Sequence, residues 1–180
     1  ASNPKFGLWS GWSDQGPLWE GIRHCNVLIE NIYNVVDMTE DEMNMWAAEA
    51  KFLKAYYHFL LFTYYGPIPI VDENLPISAS DAEVRVKRRT VDESVAYIVE
   101  TIDDALIHLP ARVLSSNDLG RIDQVIAKAI KSRVLTYAAS PLFNGNSEMY
   151  SGFVNEDGEH FFNQTYDETK WDLAREASLE

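Results

Sequence analysis

The chain has 180 residues, 46% apolar and 24% charged, and its 28 acidic against 15 basic side chains give a net charge of −13. Those proportions describe a globular chain able to bury a core and exclude a disordered or collagen-like one. The negative surface excludes nucleic acid and anionic membrane faces as partners, and the single cysteine, Cys25, excludes an internal disulfide framework and a Cys-rich zinc site.

Residues 1–16 read as an aromatic loop segment, with Trp9 and Trp12 set among glycine, serine and Asp14. Residues 17–65 read as a first helix hairpin. Leu18, Ile22, Cys25, Ile29, Ile32 and Val36 recur at alternating spacings of four and three, one face of a helix that starts at Pro17. Trp46, Ala50, Leu53, Tyr57, Leu60 and Tyr64 repeat that rhythm in a second helix about 40 Å long. It opens on a capping box, Thr39 with Glu42, and stops at Gly66-Pro67. Only two or three residues are expected between the two helices, which forces an antiparallel pair. Residues 66–89 form an extended spacer, because Pro67 and Pro69 keep Gly66 to Val71 out of a helix.

Residues 90–140 read as a second hairpin. Its first helix has a capping box at Thr90 and Glu93 and a stripe of Val91, Val95, Ile98, Ile102, Ala105 and Leu109. Asp123 caps its second helix, which carries Ala127, Ile130, Val134 and Tyr137 and ends at Ser140-Pro141. Residues 141–164 form a loop with a small β-hairpin turning at Asp157-Gly158. Residues 165–180 begin a third hairpin behind a capping box at Thr165 and Glu168, and the helical pattern runs to Glu180, as expected of a piece of a longer chain. The expected fold is therefore all-α: an α-solenoid of tetratricopeptide-like hairpins with irregular loops and one β-hairpin. Ala48 and Phe52 match one element of the tetratricopeptide motif, although no strict repeat length holds and a plain helical bundle gives the same periodicity.

Little points to catalysis. There is no Gly-x-Gly-x-x-Gly turn, Walker-type loop or Gly-x-Ser-x-Gly elbow, so no cofactor is expected. His24, His58, His108 and His160 are far apart and lack a His-Glu-x-x-His spacing, so no metal site is expected. Asn155 to Gly158 resembles a calcium loop only in part and reads as a solvated turn. The apolar run Phe59 to Val71 is shorter than the roughly 20 residues a bilayer requires. Glu49, crowded by alanines, calls for a basic partner such as Lys51, Lys54 or Arg133. Cys25, on the apolar stripe of the first helix, reads as a small hydrophobe. What remains is aromatic surface: exposed indoles beside polar side chains suit sugars, with the ring against C–H groups and the neighbours on hydroxyls. Trp9 and Trp12 are the candidates. The alternative is that they plug one end of the helical array.

Several segments together resemble the SusD/RagB family. They are Trp19-x-x-Ile22-x-x-x-Asn26-x-x-Ile29, the run Ala48 to Tyr57, and Tyr65-Gly66-Pro67-Ile68-Pro69. Further matches are Asp103-x-Ala105-x-x-x-Leu109-Pro110, the helix with Ala127 and Tyr137, and Ala139 to Gly145. Lys51 and Lys54 stand where arginine is frequent in the family, keeping charge but losing bidentate geometry. The resemblance implies a lipoprotein on the outer leaflet of the outer membrane of Bacteroidetes-type bacteria, its lipid anchor outside this fragment. It implies a non-catalytic protein that binds an oligosaccharide or polysaccharide and covers a SusC-type TonB-dependent transporter in nutrient uptake. The fragment would be an N-terminal to middle portion of such a protein. Trp9, Trp12 and Asp14 are the expected ligand-binding residues, because they precede the first scaffold helix. A tetratricopeptide-type protein–protein scaffold and a glycoside hydrolase are the competing functions.

Overall fold

Among the described residues five long helices follow one another, and each packs against the next. The computed structural model describes Trp9 and residues 17–180. In chain order the helices are α1 (Leu18–Asn31), α2 (Glu40–Tyr65), α3 (Asp81–Val84), α4 (Val91–Leu106), α5 (Gln124–Ala139), α6 (Ser147–Tyr150) and α7 (Thr169–Leu179). Helix α1 packs on α2, α2 on α4, α4 on α5 and α5 on α7. This is the hairpin array the periodicity predicts, and the fold is all-α.

Local chemistry sets most of the boundaries. At both Thr39–Glu42 and Thr90–Glu93 the threonine hydroxyl accepts the glutamate amide while the glutamate carboxylate accepts the threonine amide. The same device at Ser80 and Glu83 starts the four-residue α3 inside the first spacer. Asp123 accepts the Ile126 amide at 2.9 Å and caps α5. At the far end of α2, Gly66 takes φ +70°, a conformation that favours glycine, and Pro67 turns the chain away.

The core runs between the helices. Ile98 and Ile102 of α4, Phe59 and Phe62 of α2 and Val134 of α5 are fully buried, each contributing about 1.5–3 kcal/mol of hydrophobic transfer free energy. The stripe expected on α2 lies off the centre of its buried surface. Trp46 and Tyr64 are exposed, and Ala48, Phe52, Ala55, Phe59 and Phe62 form the inner row. Helix α2 is sandwiched between α1 and α4, so it is apolar on more than one side and its periodicity does not select one face.

Three other expectations need correction. Helix α1 ends at Asn31, a single 3₁₀ turn over Ile32–Asn34 follows, and Val36 is completely exposed, so the connection to α2 is longer than expected. Helix α7 begins at Thr169, and the capping box at Thr165 and Glu168 does not form. The Asn144 side chain instead accepts the Asp167 amide at 2.9 Å and donates to the Asp167 carbonyl at 2.8 Å, holding that stretch out of the helix. The β-hairpin is reduced to one antiparallel bridge between Val154 and His160, turning at Asp157-Gly158 with Gly158 at φ +83°. Asn155 Oδ1 accepts the amides of Asp157 and Glu159, the solvated-turn arrangement expected there.

Candidate functional site

Two surfaces flank α2: an aromatic group at its C-terminal end and a polar cleft beside its middle. Trp9 stands over the aromatic end. Its indole meets Trp19 of α1 and Tyr65 of α2 edge-on, with ring centroids 5.1 Å away in both cases. Two supporting rings fix it, yet it keeps 36% of its surface exposed, and Tyr64 beside Tyr65 is 62% exposed. An indole braced by two rings and still partly exposed can stack on a sugar. Of the residues expected to bind ligand, Trp12 and Asp14 lie outside the described residues. Tyr64 and Tyr65 were not anticipated here, Tyr64 reading as part of the second helix's apolar stripe and Tyr65 only as part of a family-like segment. The adjacent helix stop at Gly66-Pro67 was the available signal, since the last turn of a helix is the part least covered by its neighbours.

The aromatic contacts continue inward. Trp19 meets His58 edge-on at 6.0 Å, and His58 meets Tyr97 at 5.1 Å. His58 is fully buried and both ring nitrogens are engaged by backbone. The Val71 amide donates to Nε2 at 3.2 Å, so the proton sits on Nδ1, which donates to the Lys54 carbonyl at 2.8 Å. Burial pushes its pKa down to about 4, and the Lys54 charge acts in the same direction. The imidazole is therefore neutral at physiological pH and has no lone pair free to act as a base.

Lys54 is buried and held by the extended spacer. Its Nζ donates to the Asp72 carbonyl at 3.0 Å and to Asp72 Oδ1 at 2.8 Å, and the Tyr97 hydroxyl donates to the same oxygen at 2.7 Å. Partial burial pushes the Asp72 carboxyl up, but the bonds from Lys54 and Tyr97 and the Lys54 charge together outweigh it and hold the group below its ordinary value. Burial, with the bond to Asp72, pushes the Tyr97 phenol up. Cys25 sits nearby, its thiol raised by burial to about 11, so it is protonated at neutral pH and inert, as its place on the apolar stripe predicts.

Above this network lies a cleft of about 460 Å³ between α1, α2, α4 and the spacer. Among the described residues no three His, Cys, Asp or Glu side chains converge to hold a metal ion, and no helix is long and apolar enough to cross a membrane. Glu49 has the basic partner that its position demands, but from an unexpected place. Arg121, in the loop before α5, grips it with two bonds of 2.9 and 3.1 Å and lies over the Trp46 ring.

Comparison with known proteins gives consistent relatives. A SusD-like protein, P25, of Formosa agariphila is 24% identical over 131 residues, covering 72% of this chain and 23% of that protein. The solved structure of BT4246 is 34% identical and superposes with a TM-score of 0.86 over 99% of this chain and 30% of its own. That of a laminarin-binding SusD-like protein is 28% identical, with a TM-score of 0.62 over 72% of this chain and 26% of its own. The chain thus spans less than a third of each of these proteins. The SusD-like family model described as starch-binding and associating with the outer membrane matches residues 15–136, and the chain belongs to that family.

Proposed function

We propose that this chain is the helical scaffold of a non-catalytic cell-surface protein that binds an oligosaccharide or polysaccharide. The observation that carries this reading is Trp9, braced edge-on by two rings while more than a third of it faces solvent. Trp12 and Asp14, a few residues on in sequence, would complete the platform with a second indole and a hydroxyl-binding carboxylate. The laminarin-binding relative, 28% identical, makes a β-glucan a reasonable first ligand to try. Neutral glycans meet no charge barrier from a chain of net charge −13.

The protein would sit on the outer leaflet of the outer membrane through a lipid anchor outside this chain. It would pass its ligand to a SusC-type TonB-dependent transporter for uptake. All six segments, from the aromatic loop to the start of the third hairpin, would be parts of one SusD-like domain. Binding of a glycan panel that includes laminarin by the full-length natural chain tests the reading. Trp9→Ala and Tyr65→Ala are each expected to weaken binding about tenfold, the scale of one lost stacking contact. Wild-type affinity in the Trp9→Ala/Trp12→Ala double variant would remove the site, and hydrolysis of the glycan on prolonged incubation would replace binding with catalysis.

A further inference from the structure

We propose that the glycan taken at the aromatic platform is anionic, a sulfated or uronic polysaccharide, and that Arg85 and Arg88 of the first spacer hold its charged groups. The inference rests on the reading given above and adds a substrate class to it. It starts from a break in the charge pattern. Four of the chain's 15 basic residues, Arg85, Lys87, Arg88 and Arg89, are bunched together, and no acidic residue occurs between Glu83 and Asp92. All four are exposed, on a stretch without regular structure between α3 and α4. Two of them are engaged in exposed ion pairs, Lys87 with Glu156 at 3.0 Å and Arg89 with Glu93 at 3.6 Å. Arg85 and Arg88 have no carboxylate partner among the described residues. An unpaired guanidinium presents a planar fork of donors that fits carboxylates and phosphate-like oxyanions, sulfate esters among them.

The backbone ties this run to the end of the helical array that carries Trp9. The Arg89 amide donates to the Ile68 carbonyl at 2.9 Å, just beyond Tyr65 in sequence. The Val91 amide donates to the Phe161 carbonyl at 2.8 Å, and a Cβ at Gly66 would stand 3.7 Å from the ring of Phe162. By chain length alone the Cα of Arg88 lies within about 20 Å of that of Tyr65. A polysaccharide stacked on the indole therefore reaches the guanidinium groups within a few sugar units. Charges farther off than about 8 Å are largely screened at physiological ionic strength. The basic run, and not the net charge of the whole chain, then sets the field that a passing strand meets there. A neutral glycan would gain nothing from the two free arginines. An acidic peptide would use the cations but has no pyranose face for the indole.

Titration of the full-length natural chain with laminarin, laminarin sulfate, polygalacturonate and polyglutamate tests this. At least one of the two anionic glycans is expected to bind about tenfold or more tightly than laminarin, with the advantage shrinking as NaCl rises. The stronger of the two identifies the anion, sulfate ester or carboxylate, and either supports the site. Arg85→Gln/Arg88→Gln should remove most of that advantage without lowering the melting temperature, because both side chains are exposed. Four results would overturn the proposal and leave the Trp9 platform to its own test. They are equal affinity for laminarin and both anionic glycans, wild-type anionic-glycan affinity in the double arginine variant, no saturable binding of either anionic glycan, and polyglutamate binding as tight as theirs. Wild-type anionic-glycan affinity in Trp9→Ala would instead overturn both readings, so the two failures are told apart.

Discussion

The two spacers are fastened to the helices by opposite means. The first, Gly66 to Asp72, is held by polar groups aimed at its backbone. His58 accepts the Val71 amide, Lys54 donates to the Asp72 carbonyl, and Asn26 reaches the Val71 carbonyl. The second, Ser140 to Glu168, is held by rings. Phe143 stacks on Phe162 with centroids 5.7 Å apart, Tyr150 on Phe162 at 3.8 Å, and Phe62 of α2 lies 4.9 Å from Phe143. A buried polar fastening specifies one register of the segment but depends on protonation state. An aromatic fastening tolerates pH and depends on volume. The cleft is formed against the polar one, which leaves carboxylates on its walls.

The largest expected effect comes from the aromatic side. Phe62→Ala empties a fully buried site beneath Phe143 and Tyr137, and a loss of about 3–5 kcal/mol in denaturant-unfolding free energy is expected, nearly independent of pH. The polar side should respond to acid instead. His58 has a folded pKa of about 4 against an ordinary value of 6.5. The unfolded chain therefore binds the extra proton between those values, so stability is complete above pH 6.5 and falls as the pH drops toward 4. The expected loss is about 3 kcal/mol. Asp72, held below its ordinary value, loses its contribution in the same direction as the pH falls through its folded pKa. Thermal melts from pH 7.5 to 4 check this: His58→Gln should flatten the slope while lowering stability at neutral pH. An unchanged slope in that variant would place the acid sensitivity elsewhere.

A smaller effect is expected where two stretches of the second spacer's backbone approach closely. Gly145 has φ +77°, and a Cβ there would come within 2.6 Å of the Tyr166 amide nitrogen. Gly145→Ala combines backbone strain with that clash, so a loss of about 2–3 kcal/mol is expected in chemical denaturation. If the two fastenings are independent, the deficit should be the same at pH 7 and pH 5. A deficit that grows at pH 5 would couple them.

Legibility in the sequence followed the range of the interactions. The capping boxes at Thr39 and Thr90 close within one turn, and both were readable. The pattern at Thr165 is equally good locally, yet Asn144, 23 residues upstream, takes the Asp167 backbone first. The inner row of α2 was obscured because the helix is covered on two sides, so Trp46 and Tyr64 looked as internal as Phe52 and Phe59. The site was legible only in part. A tryptophan in a polar loop drew attention to Trp9, but its supports, Trp19 and Tyr65, are brought beside it by the hairpin. The cleft left no sequence signal, since Asn26, Lys54 and Asp72 meet only when the spacer folds back over α2.

The partner of Glu49 was missed because it sits in a loop and not on a helix, and it yields the smallest prediction. The expectation was Lys51, Lys54 or Arg133, all on the helices. Arg121 arrives instead from 72 residues away and makes both carboxylate bonds. It joins α2 to the loop before α5. Arg121→Lys keeps the charge but loses the two-pronged geometry and the stacking on Trp46. Because the pair is only partly buried, a loss of about 1 kcal/mol is expected, with Glu49→Gln similar. A double-mutant cycle isolates the coupling: combined with Glu49→Gln, Arg121→Lys should add little further loss. Full additivity would mean that Arg121 acts through Trp46 and not through Glu49. In neither case should the acid response move, because that response belongs to the buried imidazole under the first spacer.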